Sequence, residues 1–210
     1  MVLTIVGSLA GVATGWLALA PLLAMALPLL AATAFLYRSG TTWHDLGFLR
    51  AMPFGRFVRL TLGAVVGAFV ITGFLVTPVL RELGAPPVDT SLLVNAIEGN
   101  TLVYLLFLFP ITWGSAAFGE ELLARGFLLQ RFSLLLGTTG GMVMQAFVFA
   151  LGHVYQGFTG MVSLFVVGLI LGYVYLRAGR NLWPVIIAHG LINTFSITLV
   201  YLGYGDPTGG

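Results

Sequence analysis

Uncharged apolar runs alternate with short polar stretches along the chain. Residues 2–37 contain no charged side chain. As one helix they would extend about 54 Å. That is too long for one upright crossing of a hydrocarbon core of roughly 30 Å, and short for two crossings and a turn. The pattern predicts two tightly joined helices broken near Gly11–Gly15, with Pro21 and Pro28 kinking the second; one long tilted helix is the alternative. A polar loop (38–56), an apolar run (57–80) and a second polar loop (81–100) follow. Residues 101–136 read as one long helix, punctuated by Gly137 and Gly140–Gly141. Three apolar runs close the pattern, at 138–155, 158–177 and 182–202, before a glycine-rich tail. The expected fold is an all-α polytopic transmembrane helical bundle of about seven spans (six to eight), forming a single domain over residues 1–210.

Composition sharpens this picture. Hydrophobic residues make up 59% of the 210 and charged residues 8%, with a mean hydropathy of +1.03. A soluble domain carries roughly a quarter charged residues, so an ordinary soluble globule, a disordered chain and a nucleic-acid binder with a basic face are excluded. The chain has no cysteine, which removes disulfides, Cys-ligated zinc, iron–sulfur clusters and thiol nucleophiles. No basic stretch precedes the first apolar segment, so that segment is expected to stay rather than be cleaved as a signal.

Arginine placement orients the bundle. Arg38, Arg50, Arg56 and Arg59 surround one loop, Arg125 and Arg131 precede Gly137, and Arg177 and Arg180 flank the last turn. Counted alternately, these fall on one side, cytoplasmic by the positive-inside rule. Trp43 and Trp183 stand near that boundary as interfacial anchors. The four-residue glycine spacings Gly7–Gly11–Gly15, Gly63–Gly67 and Gly168–Gly172 predict close helix packing within the chain.

Candidate chemistry lies in the few ionisable groups inside apolar segments: Glu120, Glu121 and Arg125, then His153, then His189 with Asn193. A charge at a helix centre costs about 2.5–3.5 kcal/mol on insertion scales, so each needs a partner or a task. Glu121 and Arg125 are i,i+4 with the glutamate first, the better order for an ion pair. Glu120 lies about 100° around the helix and is left available. His189 and Asn193 share one stripe, as do Phe149 and His153. Counting from Gly137 puts Glu120 and His153 level at about 24–26 Å, whereas His189 is only about 10 Å into its own helix. The mismatch disappears if residues 125–136 project beyond the bundle. His44 reads as solvated, and Gln145, Tyr155 and Tyr173 as core packing rather than cavity lining.

A buried Glu beside a His can deprotonate water. A second His and an Asn can donate to a developing oxyanion. That set would suit amide hydrolysis. The same Glu120, His153 and His189 could instead hold a divalent metal such as zinc with an open fourth position, although no HExxH motif is present.

Three motifs occur in order on separate apolar segments: EExxxR (Glu120 to Arg125), FxxxH (Phe149 to His153) and HxxxN (His189 to Asn193). Together they resemble the CAAX protease and bacteriocin-processing (CPBP) family, which includes prenyl-protein endoproteases and the Abi proteins. The resemblance covers residues 119–193. Ala124 departs from it, since many relatives have an aromatic before Arg-Gly. The resemblance implies an intramembrane endopeptidase with a wet cavity open to the cytoplasmic side. By similarity, Glu120 and His153 would activate water, His189 and Asn193 would form the oxyanion site, and Glu121, Arg125 and Phe149 would support them. Members have been called metalloproteases; we read this site as using no cofactor, because Asn193 suits an oxyanion better than a metal. The implied partners are the lipid bilayer and a peptide or protein substrate, lipidated or a leader peptide, at a prokaryotic cell membrane. Two other classes compete: a non-enzymatic membrane scaffold or bacteriocin immunity protein that keeps the motif residues for structure, and a proton-coupled carrier. No internal repeat supports the carrier.

Overall fold

The computed structural model describes residues 20–48 and 50–204. Among them the regular elements are all helical. Helix α1 is Ala20–Arg38, α2 Phe54–Glu82, α3 Ser91–Ile97, α4 Thr101–Leu151, α5 Gly157–Arg177 and α6 Trp183–Tyr201. All but α3 are long and apolar enough to cross a membrane. The expected all-helical membrane bundle is borne out. Helix α4 holds two crossings: Gly137, at φ 72°, folds its first arm back on its second. The predicted break near Gly11–Gly15 lies outside the described residues. Pro28 sits inside a continuous α1.

Local chemistry sets the helix ends. Pro53 precedes α2, and Gly84 at positive φ follows it. The Asn100 side chain accepts from the Val103 amide and caps α4. Helix α5 ends as the Arg180 amide bonds back to the Tyr175 carbonyl, with Gly179 at φ 68°. The segment 81–100 is not a plain loop. Asp89 accepts from both the amide and the hydroxyl of Ser91, and the short α3 starts there. Its seven residues were too few for the apolar pattern to register.

Alternate loops gather at two ends of the bundle. At the arginine-rich end, the segment between α1 and α2 is fastened to the α5–α6 turn: Leu182 donates to Gly47, Asn181 to Arg50, and Arg56 to Arg177. Gly47 is required there, since its φ is 101° and the Arg180 carbonyl occupies the space of a Cβ. At the other end, Asp89 donates its amide to Gln156, Thr159 donates to Pro86, and Tyr104 stacks on Tyr201. The core between them joins Ala64 and Ala68 of α2 to Leu122 and Leu129 of α4, Leu171 of α5 and Val185 of α6.

Of the glycine pairs, Gly168 and Gly172 pack closely: added Cβ atoms would meet Ala146 at 3.0 Å and the Gln145 amide at 2.9 Å. Gly63 and Gly67 face open space. Among the described residues their spacing marks no close helix contact. The Gly7–Gly11–Gly15 set lies outside the described residues.

Candidate active site

The first arm of α4 carries the acidic pair, and its winding is unusual. Residues Phe107–Glu120 and Leu122–Leu129 run in i→i+5 register rather than α. Pro110 lies near the start of this stretch; it has no N–H to donate and its ring crowds the preceding turn. Wider turns of this kind concentrate at functional sites. Helical-wheel arithmetic at 100° therefore misstates the faces here, although four-residue neighbours still meet.

Glu121 and Arg125 do meet, at 2.7 Å between Oε1 and Nη1, and both side chains are wholly buried. The same Oε1 also lies 2.7 Å from His189 Nδ1. Since a carboxylate accepts, His189 carries its proton on Nδ1 and leaves Nε2 free. Arg125 donates a further bond to the Gly168 carbonyl at 3.2 Å. That carbonyl is shared with Gln145, whose amide donates to it at 3.0 Å. Gln145 is fully buried and belongs to this network. Sequence reasoning assigns it only packing; its one available signal is a lone amide in an apolar helix facing two small residues of α5.

The neighbouring glutamate differs. Glu120 Oε2 stands 3.9 Å from His153 Nε2, beyond hydrogen-bond reach, with both side chains partly accessible at 20% and 15%. This carboxylate oxygen is itself buried, with no hydrogen-bond partner among the described residues. His153 Nδ1 lies 2.9 Å from the Phe149 carbonyl. A carbonyl only accepts, so His153 donates from Nδ1, and Nε2 is the ring nitrogen that faces Glu120.

Phe149 joins the two groups. Its ring lies 4.8 Å from His153, 5.9 Å from His189 and 4.6 Å from the Arg125 guanidinium. Asn193, half-buried, is one turn beyond His189 on α6. Among the described residues no side-chain hydrogen bond joins it to the cluster.

The depth mismatch is resolved as the projection argument requires, with one correction. A Cβ at Gly126 would lie 3.5 Å from both Leu182 and Trp43. Gly126 is thus level with the start of α6, and residues 127–136 extend up to about 15 Å past it. Leu134, Leu135 and Leu136 at the tip are exposed. Arg125 is not part of that projection. It lies in the core, neutralising Glu121, so it carries no weight in orienting the bundle.

The metal alternative fits poorly. Among the described residues no three His, Asp or Glu side chains converge as a ligand set. His189 directs its Nδ1 proton to Glu121 and His153 its own to a backbone carbonyl, leaving Glu120 and two separate Nε2 atoms.

The helices and this intramembrane Glu/His cluster define a polytopic membrane protein with ionisable side chains gathered inside the bundle. Residues 102–195 match the model of the type II CAAX prenyl endopeptidase Rce1-like family. The match supports the CPBP resemblance of the three motifs, and with it a CAAX-type intramembrane protease in general terms. No curated protein and no solved structure matches the chain.

Proposed function

We propose that the protein is an intramembrane endopeptidase that hydrolyses a peptide bond of a protein or peptide substrate near the cytoplasmic face. The site segments lie within residues 119–193 of one transmembrane domain. The observation that carries the reading is the facing pair of Glu120 Oε2 and His153 Nε2, 3.9 Å apart; with His153 in its neutral form both atoms accept. Two acceptors at that separation suit a water donating one hydrogen to each at a bent angle. As the water oxygen attacks the scissile carbonyl carbon, the pair accepts its proton. The same proton then passes to the leaving amine as the C–N bond breaks.

His189 and Asn193 stabilise the oxyanion. For that role the His189 ring presents its Nε2 side, with Nδ1–H held by Glu121. Arg125 and Phe149 keep this arrangement in place. The arginine-rich end is the cytoplasmic one, and His189 lies about 9 Å from it along α6.

The test compares truncated peptides in cells carrying the wild-type chain or Glu120→Gln, at matched protein level in the membrane. Cleavage products should disappear in the variant. Undiminished products would remove the enzyme reading and leave the scaffold or immunity role.

A further inference from the structure

At the arginine-rich end, an open cavity of about 360 Å³ is lined by Arg50, Met52, Phe54, Phe57, Asn181 and Trp183, with Ile187 of α6 also bordering it. It belongs to neither the Glu120–His153 pair nor the Glu121 network. Its walls are of two kinds. Phe54 and Phe57 stack on one another and, with Trp183 and Ile187, present an apolar face. Asn181, 1% exposed, donates to the Arg50 carbonyl and accepts from the Trp183 amide, fixing the floor. Arg50 donates through Nη1 to the Gly179 carbonyl. A guanidinium has five N–H donors, so most remain to be satisfied.

The charge around the cavity is one-sided. Arg38, Arg50, Arg56, Arg59, Arg177 and Arg180 belong to this end, and none forms an ion pair with a carboxylate among the described residues. Asp45, the acid nearest in sequence, is taken up by the amide and hydroxyl of Thr42. An unmatched guanidinium beside an apolar, aromatic-walled hollow, at the boundary where a bilayer's headgroups lie, matches a molecule with an anionic head and a hydrocarbon chain.

We propose that this cavity binds one anionic phospholipid, its phosphate on Arg50 and the start of an acyl chain against Phe54, Phe57 and Ile187. Charge complementarity selects this occupant. An uncharged lipid would leave Arg50 without a counter-ion, and a free phosphate would leave the apolar wall wet.

The test uses native mass spectrometry of the full chain in detergent micelles, where no bilayer surface potential acts. Phosphatidylglycerol and phosphatidylcholine are titrated separately, and inorganic phosphate is added as a competitor. The first phosphatidylglycerol should bind the wild type more tightly than phosphatidylcholine, and Arg50→Gln should weaken it about fivefold. Because Arg50 also fastens the loop, Met52→Trp serves as a second variant. It fills the hollow without changing charge and should produce a similar loss. Arg59→Gln, outside the lining, should change little. Equal losses in Arg59→Gln and Arg50→Gln would overturn the proposal in favour of general surface charge. So would phosphatidylglycerol binding unaffected by either cavity variant, or its displacement by inorganic phosphate.

Discussion

Glu120 and Glu121 are adjacent in sequence and opposite in circumstance. Glu121 is wholly buried and bonded through one oxygen to both Arg125 and His189 at 2.7 Å. Glu120 is partly accessible and faces His153 across 3.9 Å, with an oxygen left unmatched. Glu121 also keeps one oxygen, Oε2, buried without a hydrogen-bond partner among the described residues, but its shared Oε1 ties the side chain to two others and holds it in one place. Glu120 has no described partner within hydrogen-bond distance, so its carboxylate stays available to a water or a substrate. Natural sites often give up stability for such arrangements. On the proposed reading the two side chains divide the work: Glu121 builds the site, and Glu120 is left to act.

The largest expected effect breaks that division in activity. Glu120→Gln removes the proton acceptor and should lower cleavage by about 10²–10⁴-fold, the range typical of a lost general base. Its unfolding midpoint in detergent should stay at or slightly above that of the wild type, because an unmatched carboxylate is replaced by a neutral amide. Cleavage kinetics and thermal unfolding of the same preparation check both halves. A large fall in midpoint would mean that Glu120 is also a structural anchor.

Next is the converse substitution. Arg125→Met leaves Glu121 buried with only His189 beside it. Breaking one side of a buried ion pair costs about 3–5 kcal/mol, so the folded fraction should drop sharply by size-exclusion and thermal unfolding. Gln145→Leu should be milder, about 1 kcal/mol for a lost hydrogen bond. It also leaves Arg125 as the remaining side-chain donor to the Gly168 carbonyl. If Gln145 acts through Arg125 and His189, the variant shifts the pH profile of cleavage as well as the unfolding midpoint. A purely packing role would move the midpoint alone.

The same contrast shows what was legible in the sequence. Charge-free runs and Gly137 gave the spans and the hairpin, because lipid demands long apolar helices and glycine is the residue that turns at positive φ. The i,i+4 rule gave Glu121–Arg125. It could not give Glu121–His189, which joins residues 68 apart. Nor could it give Phe149 as the ring common to Arg125 and both histidines. The i→i+5 winding was hidden as well. A proline in an apolar run can signal a kink, a break or a wider turn, and packing against α1 and α6 selects among them. Arg125 misled in the opposite direction: counted as an arginine it marks a membrane side, and only its partner reveals it as core.

The smallest expected effect concerns how the site's far end is closed. His153 is followed by the turn Val154–Gln156, and the Gln156 carbonyl accepts from the Asp89 amide. Asp89 in turn is fixed by the hydroxyl and amide of Ser91, and those bonds hold its carboxyl below the usual carboxylate range. A group whose folded value is depressed stabilises the fold above its unfolded value, near 4, and loses that contribution as pH falls through the folded value. Amide hydrogen exchange of residues 150–157 in detergent should therefore be slow and steady from neutral pH to about 5, after correction for intrinsic rates. Protection should fall below about 4. Asp89→Asn keeps an acceptor oxygen for Ser91 but cannot titrate, so its protection should stay flat across that range. Identical acid loss in the variant would show that the Asp89 carboxyl is not what holds this end of the site closed.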